Sequence, residues 1–290
     1  MSKLLECKPV AQAVKDRVRN EAEALKADGV TPKLAILRVG EKGPDLAYER
    51  GATKALTDVG IAVEVHALPS DVSQEDYIAK LKELNEDASV HGILPFRPLD
   101  NIDEQIAITE TISPLKDVDS STDVNMGKTV LGDPTALTPC TAQAVMEVLD
   151  YYGIDADGKN VTIINRSNVI GKPVAMMFVN RHATVSICNS HTKNMEAFTR
   201  NADILVVAIP YENSVKKEWV SPGTTVIDCS VIRKKVTLED GSTKWKTTGC
   251  CEPEIYDIAG AITPVPGLGS VTSALLGQNV ITAAKAQLSR

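Results

Sequence analysis

Apolar and polar positions along this chain alternate in two rhythms. Short runs of β-branched and aliphatic residues read as buried parallel strands, because a strand covered on both faces needs no polar side. In the first half they are Leu34-Ala35-Ile36-Leu37, Ile61-Ala62-Val63-Glu64-Val65 and Val90-His91-Gly92-Ile93-Leu94. In the second half they are Val161-Thr162-Ile163-Ile164, Ala183-Thr184-Val185-Ser186-Ile187, Ala202-Asp203-Ile204-Leu205-Val206-Val207-Ala208 and Thr224-Thr225-Val226-Ile227-Asp228. Between the runs the spacing becomes helical. Val10, Val14, Val18 and Leu25 share one face of a first helix, which Gly29 can close. Helices are predicted over 45–59, from a cap at Ser73 to residue 85, over 142–152, and over 271–288, where Leu275, Leu276 and Val280 form the apolar side. Residues 234–248, with Asp240-Gly241 at their centre, read as a β-hairpin. Residues 113–140 lack long apolar runs and are rich in Pro, Asp, Ser and Thr, so they read as connection and cleft wall rather than core. Strands alternating with helices predict an α/β fold with parallel sheets.

One strand ends in a turn with chemical potential. After Val161-Thr162-Ile163-Ile164 comes the polar turn Asn165-Arg166-Ser167-Asn168, and a helix follows Val169. A strand, a tight turn and a helix N-terminus form a ready anion site, because the first N–H groups of a helix have no partners within it. A dinucleotide fingerprint, Gly-x-Gly-x-x-Gly, belongs at this place. Its last glycine is present as Gly171; neither of the other two positions holds a glycine, and Asn165 and Ser167 stand in the polar turn before it. By itself the motif is equally an ordinary strand-to-helix turn. The further strands after it strengthen the nucleotide reading, since nucleotides bind at the carboxyl ends of such strands.

Composition narrows the field. A chain of 290 residues, 43% hydrophobic and 24% charged, holds one large globular domain or two of ordinary size. Its net charge of −7 argues against general nucleic-acid binding, which needs a basic face, and leaves room for a local anion site. No apolar run approaches a membrane span, and Met1-Ser2-Lys3-Leu4-Leu5-Glu6 lacks the apolar core of a secretion signal. The expectation is therefore a cytoplasmic protein with no nucleic-acid or membrane partner. The six cysteines, Cys7, Cys140, Cys188, Cys229, Cys250 and Cys251, show no zinc-site spacing and read as reduced thiols; no metal is expected. A redox role for adjacent Cys250 and Cys251 is the minor alternative.

At Arg166-Ser167-Asn168-Val169-Ile170-Gly171-Lys172-Pro173 the chain resembles the cofactor loop of the bifunctional methylenetetrahydrofolate dehydrogenase/methenyltetrahydrofolate cyclohydrolase family. Pro139-Cys140-Thr141, Ser113-Pro114-Leu115-Lys116-Asp117-Val118-Asp119 and Thr263-Pro264-Val265-Pro266-Gly267 resemble the same family, in its order and spacing. The resemblance runs from about residue 34 to about residue 280. It implies two parallel-sheet α/β domains around a cleft. Residues 1–140 plus the C-terminal helix 271–290 would be a folate-binding and catalytic domain, and 141–270 a Rossmann-like NAD(P)-binding domain. It also implies a tetrahydrofolate derivative as substrate, NADP or NAD as cofactor, and a homodimer.

The site residues follow from the same resemblance, position by position. Tyr48 and Asp119 take the catalytic places: Tyr48 would stack on the folate and Asp119 would accept N–H bonds from the pterin edge. Phe96, Pro264, Pro266 and Gly267 would complete the substrate site. Asn165, Arg166, Ser167, Ser190, His191, Val231 and Thr272 would bind the cofactor. Arg166 and Ser190 favour the 2′-phosphate of NADP, whereas the family's fixed positive charge after the second strand is here replaced by His191.

Two departures bear on activity. Four residues after Tyr48, where the family has the lysine that assists the cyclohydrolase step, stands Ala52. Lys54 points about 200° away on a helix and reads as a solvated lysine. The family's Val-Gln-Leu-Pro, whose glutamine supports that lysine, is replaced by Pro95-Phe96-Arg97-Pro98. Hydride transfer depends mainly on positioning, whereas ring opening by water needs proton transfer. Loss of both polar groups predicts a dehydrogenase with weak or absent cyclohydrolase activity. The alternatives are a fully bifunctional enzyme drawing its proton from Arg97, Tyr48 or water, and a degenerate paralogue that binds folate or nucleotide without turnover. The segment Ser120-Ser121-Thr122-Asp123 also replaces the family's Gly-Phe-His-Pro, which predicts a reshaped cleft floor.

Overall fold

Leu34, Ala35, Ile36 and Leu37 are completely shielded from solvent, as a strand buried on both faces requires. The computed structural model that shows this describes residues 1–237 and 242–289. In chain order the elements begin with β1 (Lys3–Leu4), α1 (Cys7–Ala27), β2 (Lys33–Val39), α2 (Gly43–Thr57), β3 (Ala62–Leu68), α3 (Gln74–Glu86) and β4 (Gly92–Pro95). A short π-helical turn, Gln105–Thr109, precedes α4 (Asp123–Leu131) and α5 (Cys140–Tyr151). Then come β5 (Asn160–Ile164), α6 (Gly171–Val179), β6 (Thr184–Cys188), α7 (Met195–Thr199), β7 (Ile204–Val207) and β8 (Thr225–Asp228). The chain closes with β9 (Ile232–Thr237), β10 (Thr243–Thr248), α8 (Ile255–Ile258), β11 (Ala261–Ile262) and α9 (Leu268–Leu288).

The contacts divide the chain into two compact units, Ala11–Cys140 with the residues from Ser273 onward, and Met1–Val10 with Thr141–Thr272. The first holds a parallel sheet of order β3-β2-β4, with Leu34 paired to Gly92 and Leu37 to Pro95. Alternate residues face opposite sides. Ala35, Leu37 and Ile93 pack with Tyr77, Leu81 and Leu84 of α3 and with Ala107 and Ile108 of the π-helical turn. On the other side Gly92 lies so close to Val118, Val280 and Leu34 that a Cβ would fall 2.5 Å from the Val118 side chain. Ser73 caps α3 by accepting the Asp76 N–H at 3.0 Å.

The second unit holds a six-stranded parallel sheet of order β1-β11-β8-β7-β5-β6. Residues 1–10 join it because β1 pairs with β11, Leu4 opposite Ile262. The β5 strand has β6 on one side and β7 on the other, so the strand order reverses there. In open α/β sheets that reversal leaves a crevice at the carboxyl ends of the strands. Leu205, Val207, Val226 and Ile262 form one core face with Val215, Val220 and Ile255. The predicted hairpin is present as the antiparallel pair β9 and β10, from Ile232 opposite Thr248 to Thr237 opposite Thr243. Its expected centre, Asp240-Gly241, lies outside the described residues.

The expectation for 113–140 needs correction, because the segment contains α4. Thr122 caps that helix by accepting the Asn125 N–H at 3.3 Å, and Gly132 closes it in the left-handed region at φ 70°. Only Asn125 and Thr129 are buried within it, so no apolar stripe announces it.

Candidate functional site

At the carboxyl end of β4, Leu94, Pro95, Phe96 and Arg97 line a cavity of about 360 Å³ with Pro44, Asp45 and Tyr48 of α2 and with Asp119. The helix is fixed in place by Arg38 at the end of β2, whose Nε lies 2.6 Å from the Glu49 carboxylate, both side chains being largely buried. Such a pair contributes register more than stability. Tyr48 and Phe96 meet with ring centroids 5.3 Å apart at 53°, an aromatic wall. Phe96 is buried, whereas 48% of Tyr48 stays accessible to a ligand. Burial and then the Asp119 charge push the Tyr48 hydroxyl up to about 12. Arg97 Nη2 lies 3.1 Å from Asp119 Oδ2, with about a third of each side chain exposed. Burial raises the Asp119 carboxyl above the usual carboxylate range; Arg97 opposes that rise and Asp117 adds to it.

The four residues Lys116-Asp117-Val118-Asp119 divide their labour. Lys116 is buried and donates to the carbonyls of Leu84, at 3.1 Å, and Asp87, at 2.7 Å. Asp117 is fully buried and accepts the N–H groups of Ser121 and Thr122, the Thr122 hydroxyl and the Asn125 amide. Asp117 therefore does the turn-capping, and Asp119 is left to face the cavity. Ser120 takes a left-handed backbone conformation, φ 57°, where the family pattern has glycine. Asn279 of α9 donates to the carbonyls of Val118 and Thr138, both at 2.9 Å, and so ties the segment to the last helix.

In the six-stranded unit, Asn165 organises the turn after β5. Its Oδ1 accepts the N–H groups of Ser167, at 2.8 Å, and Gly171, at 3.1 Å, and its amide donates to Ala208 at the end of β7. A Cβ at Gly171 would lie 2.1 Å from the Asn165 carbonyl oxygen, so the backbone approach permits only glycine. Ser167 Oγ accepts the Ile170 N–H, and the Ser167 carbonyl accepts the Lys172 N–H. These N–H groups at the helix entrance therefore have partners inside the turn, and an anion here depends on side chains. Arg166 and Ser167 are exposed. Ser190 and His191 are exposed two and three residues beyond Cys188, the register partner of Ile164. Val231 is exposed after β8; Pro264 and Gly267 are half-buried and Pro266 exposed; Thr272 is half-buried and donates to the Leu268 carbonyl. This arrangement fits a dinucleotide: a crevice at the strand reversal, a glycine-dependent turn, and an exposed guanidinium for a phosphate.

Asp228, Cys250 and Cys251 also converge, with ligand atoms within 4.8 Å of one another. The Asp228 carboxylate accepts the N–H groups of Ser230, Cys250 and Cys251 and the Cys250 thiol, so its acceptor capacity is already used in tying two loops to β8. All six cysteines are free thiols.

A family model described as the tetrahydrofolate dehydrogenase/cyclohydrolase catalytic domain matches residues 5–119. A second, described as the NAD(P)-binding domain of the same enzymes, matches residues 139–288. The chain belongs to the tetrahydrofolate dehydrogenase/cyclohydrolase family. It is 41% identical over 289 residues to the bifunctional protein FolD of Alkaliphilus metalliredigens, covering 99% of each chain. It superposes on the crystal structure of the bifunctional FolD of Campylobacter jejuni with a TM-score of 0.91 and 35% identity, covering 99% of both. The Trypanosoma brucei FolD complexed with NADP and an inhibitor matches with a TM-score of 0.90 and 30% identity, over 100% of this chain and 99% of the other.

For this family member, the structure brings Tyr48, Phe96 and Asp119 together around one cavity and Asn165, Arg166, Ser167, Ser190 and His191 to adjacent strand ends in the other unit. Ala52 is buried one turn after Tyr48 and does not line the cavity, and Lys54 is exposed elsewhere on α2. Sequence reasoning missed Asp45 as a wall residue and gave Arg97 no binding role. The signal for Arg97 was a cation directly after a buried strand end.

Proposed function

We propose that the chain is an NAD(P)-dependent methylenetetrahydrofolate dehydrogenase whose cyclohydrolase activity is weak or absent. The observation that carries this reading is the make-up of the Tyr48–Phe96–Asp119 cavity. An aromatic wall and a carboxylate suit a pterin, which presents flat faces and an N–H edge. Bound NAD(P) supplies the hydride acceptor; this chain supplies the positioning of the folate. Proton transfer to the methenyl carbon's leaving nitrogen is where the cavity is poor. Arg97 presents N–H donors and no acceptor, and a Tyr48 hydroxyl pushed up to about 12 keeps its proton at neutral pH. The lysine position is a buried alanine and the glutamine position a buried phenylalanine.

Arg166 and Ser190 support NADP, and the Trypanosoma brucei relative is described with NADP. A second reading, full bifunctionality, is favoured by the names of the relatives, which are bifunctional. A cytoplasmic homodimer completes the proposal; the free thiols fit a reducing compartment, and sedimentation analysis would measure the assembly. Among the described residues no helix is long and apolar enough to cross a membrane. The test is an absorbance assay that follows methenyl formation and reduced nucleotide together, with NADP and with NAD. Stoichiometric formation of both is expected, and failure to reduce either nucleotide would leave only a binding role.

A further inference from the structure

Arg97 stands where the family pattern has a leucine, and it is aimed at the one carboxylate that the folate reading needs. Its Nη2 donates to Asp119 Oδ2 at 3.1 Å, and both residues line the cavity. Among the described residues no other hydrogen bond reaches the Asp119 carboxylate. The groups facing Asp119 are Arg97 from the loop after β4, Asp117 on its own segment, Tyr48 from α2 and the Cys140 thiol at the start of α5; Asp45 lines the same cavity. Burial and Asp117 favour the neutral acid, and Arg97 alone among these groups favours the charged form. The distinction matters chemically. A carboxylate accepts two N–H bonds in parallel, whereas a protonated carboxyl turns one oxygen into a donor and mismatches an N–H edge.

We propose that Arg97 is a positioning residue for the folate site: its guanidinium holds Asp119 as an oriented carboxylate, with Oδ2 engaged and Oδ1 open to the ligand. The inference rests on the folate reading above. The sign of its pH dependence follows from the chemistry. Binding that needs the carboxylate is present above the Asp119 pKa and lost as pH falls through it. Removing the guanidinium moves that loss to higher pH.

The test measures the dissociation constant of tetrahydrofolate by anaerobic calorimetry on the full chain and on Arg97→Gln, Arg97→Lys and Asp119→Asn, from about pH 4, the ordinary carboxylate range, up to about pH 8.5. Nucleotide Michaelis constants are taken in parallel. In Arg97→Gln the acid limb moves up by about one pH unit or more, so binding at the acidic end weakens about tenfold. Arg97→Lys, which restores the charge, tracks the parent, and nucleotide constants stay put in both. An unshifted acid limb in Arg97→Gln overturns the proposal, as does uniform weakening at every pH without rescue by lysine. Asp119→Asn separates the two levels of inference. If it leaves tetrahydrofolate binding unchanged, the folate reading itself fails; if it weakens binding while Arg97→Gln tracks the parent, only the role of Arg97 fails.

Discussion

The cavity after β4 and the turn after β5 are both strand ends facing the beginning of a helix, yet they are built from different materials. In the cavity, side chains hold one another: Tyr48 lies on Phe96, Arg97 on Asp119, and the Asp119 charge reaches the Tyr48 hydroxyl. In the turn, the backbone does the holding. Asn165 and Gly171 lock the chain, Arg166 is exposed on the turn, and Ser190 and His191 are separate exposed groups after the neighbouring strand β6. The contrast explains where this chain tolerates departure from its family. A backbone device survives without the other two fingerprint glycines, because Asn165 holds the turn with its own hydrogen bonds. A side-chain constellation fails as a unit when members change, because contacting residues are energetically coupled. The replacement at Phe96 falls in the second kind of region, and Ala52 is buried one turn after Tyr48, behind the cavity wall.

The comparison is broken most violently at Gly171. Gly171→Ala drives a Cβ into the Asn165 carbonyl and the Arg166 nitrogen, both backbone atoms. It should cost at least about 2 kcal/mol in denaturant unfolding and abolish nucleotide binding; an unchanged midpoint would show that the turn is not rigid. Next in size, Asp119→Ala removes a charge-assisted acceptor and should weaken tetrahydrofolate binding about ten- to a hundredfold, with nucleotide binding unaffected in calorimetry. Equal loss of both ligands would point to misfolding instead. Arg166→Ala is the corresponding change in the turn. It should raise the Michaelis constant for NADP about tenfold and leave that for NAD nearly unchanged, and a parent enzyme that prefers NAD by orders of magnitude would contradict that role. The smallest effect belongs to Ser120→Gly. A left-handed non-glycine residue costs about 1–2 kcal/mol, and glycine returns part of that as unfolded-chain entropy, so a gain of up to about 1 kcal/mol is expected. The Ser120 hydroxyl, buried and without a partner among the described residues, offers nothing to offset it. A loss of stability would mean that the serine is held for another purpose.

Much of the molecule was legible in its sequence, for reasons that can be named. The strands β2, β5, β7 and β8 were visible because parallel strands buried on both faces leave unbroken apolar runs. The Ser73 cap was visible because its hydroxyl and Asp76 stand at capping distance in sequence. The helix α4 was not, since it buries Asn125 and Thr129 rather than an apolar stripe, and its ends are set by Thr122 and Gly132. The two-residue strands β1 and β11 are too short to show a period. In the site, a sequence can place Asp119 near a folate by resemblance but cannot tell that Asp117 takes over the capping bonds. Nor can it tell that Arg97 turns toward the carboxylate rather than to solvent, because a loop cation follows no pattern.

The central claim is that the cavity positions a folate for oxidation and has lost the means to open the product's ring. Structure sharpens the rescue experiment: Ala52 is buried, so Ala52→Lys alone places an ammonium where it is desolvated and driven toward its neutral form. Ala52→Lys with Phe96→Gln supplies the supporting amide and should recover more hydrolysis than the single changes together. The direct measurement, however, is on the unmodified protein: the decay of methenyltetrahydrofolate absorbance with and without enzyme, in a preparation whose dehydrogenase activity has been confirmed. The account predicts decay at the buffer rate, because general acid–base assistance worth about a hundredfold to ten-thousandfold is missing. Decay about a hundredfold or more above the buffer rate would contradict it and make Ala52 and Phe96 parts of a different, working proton relay.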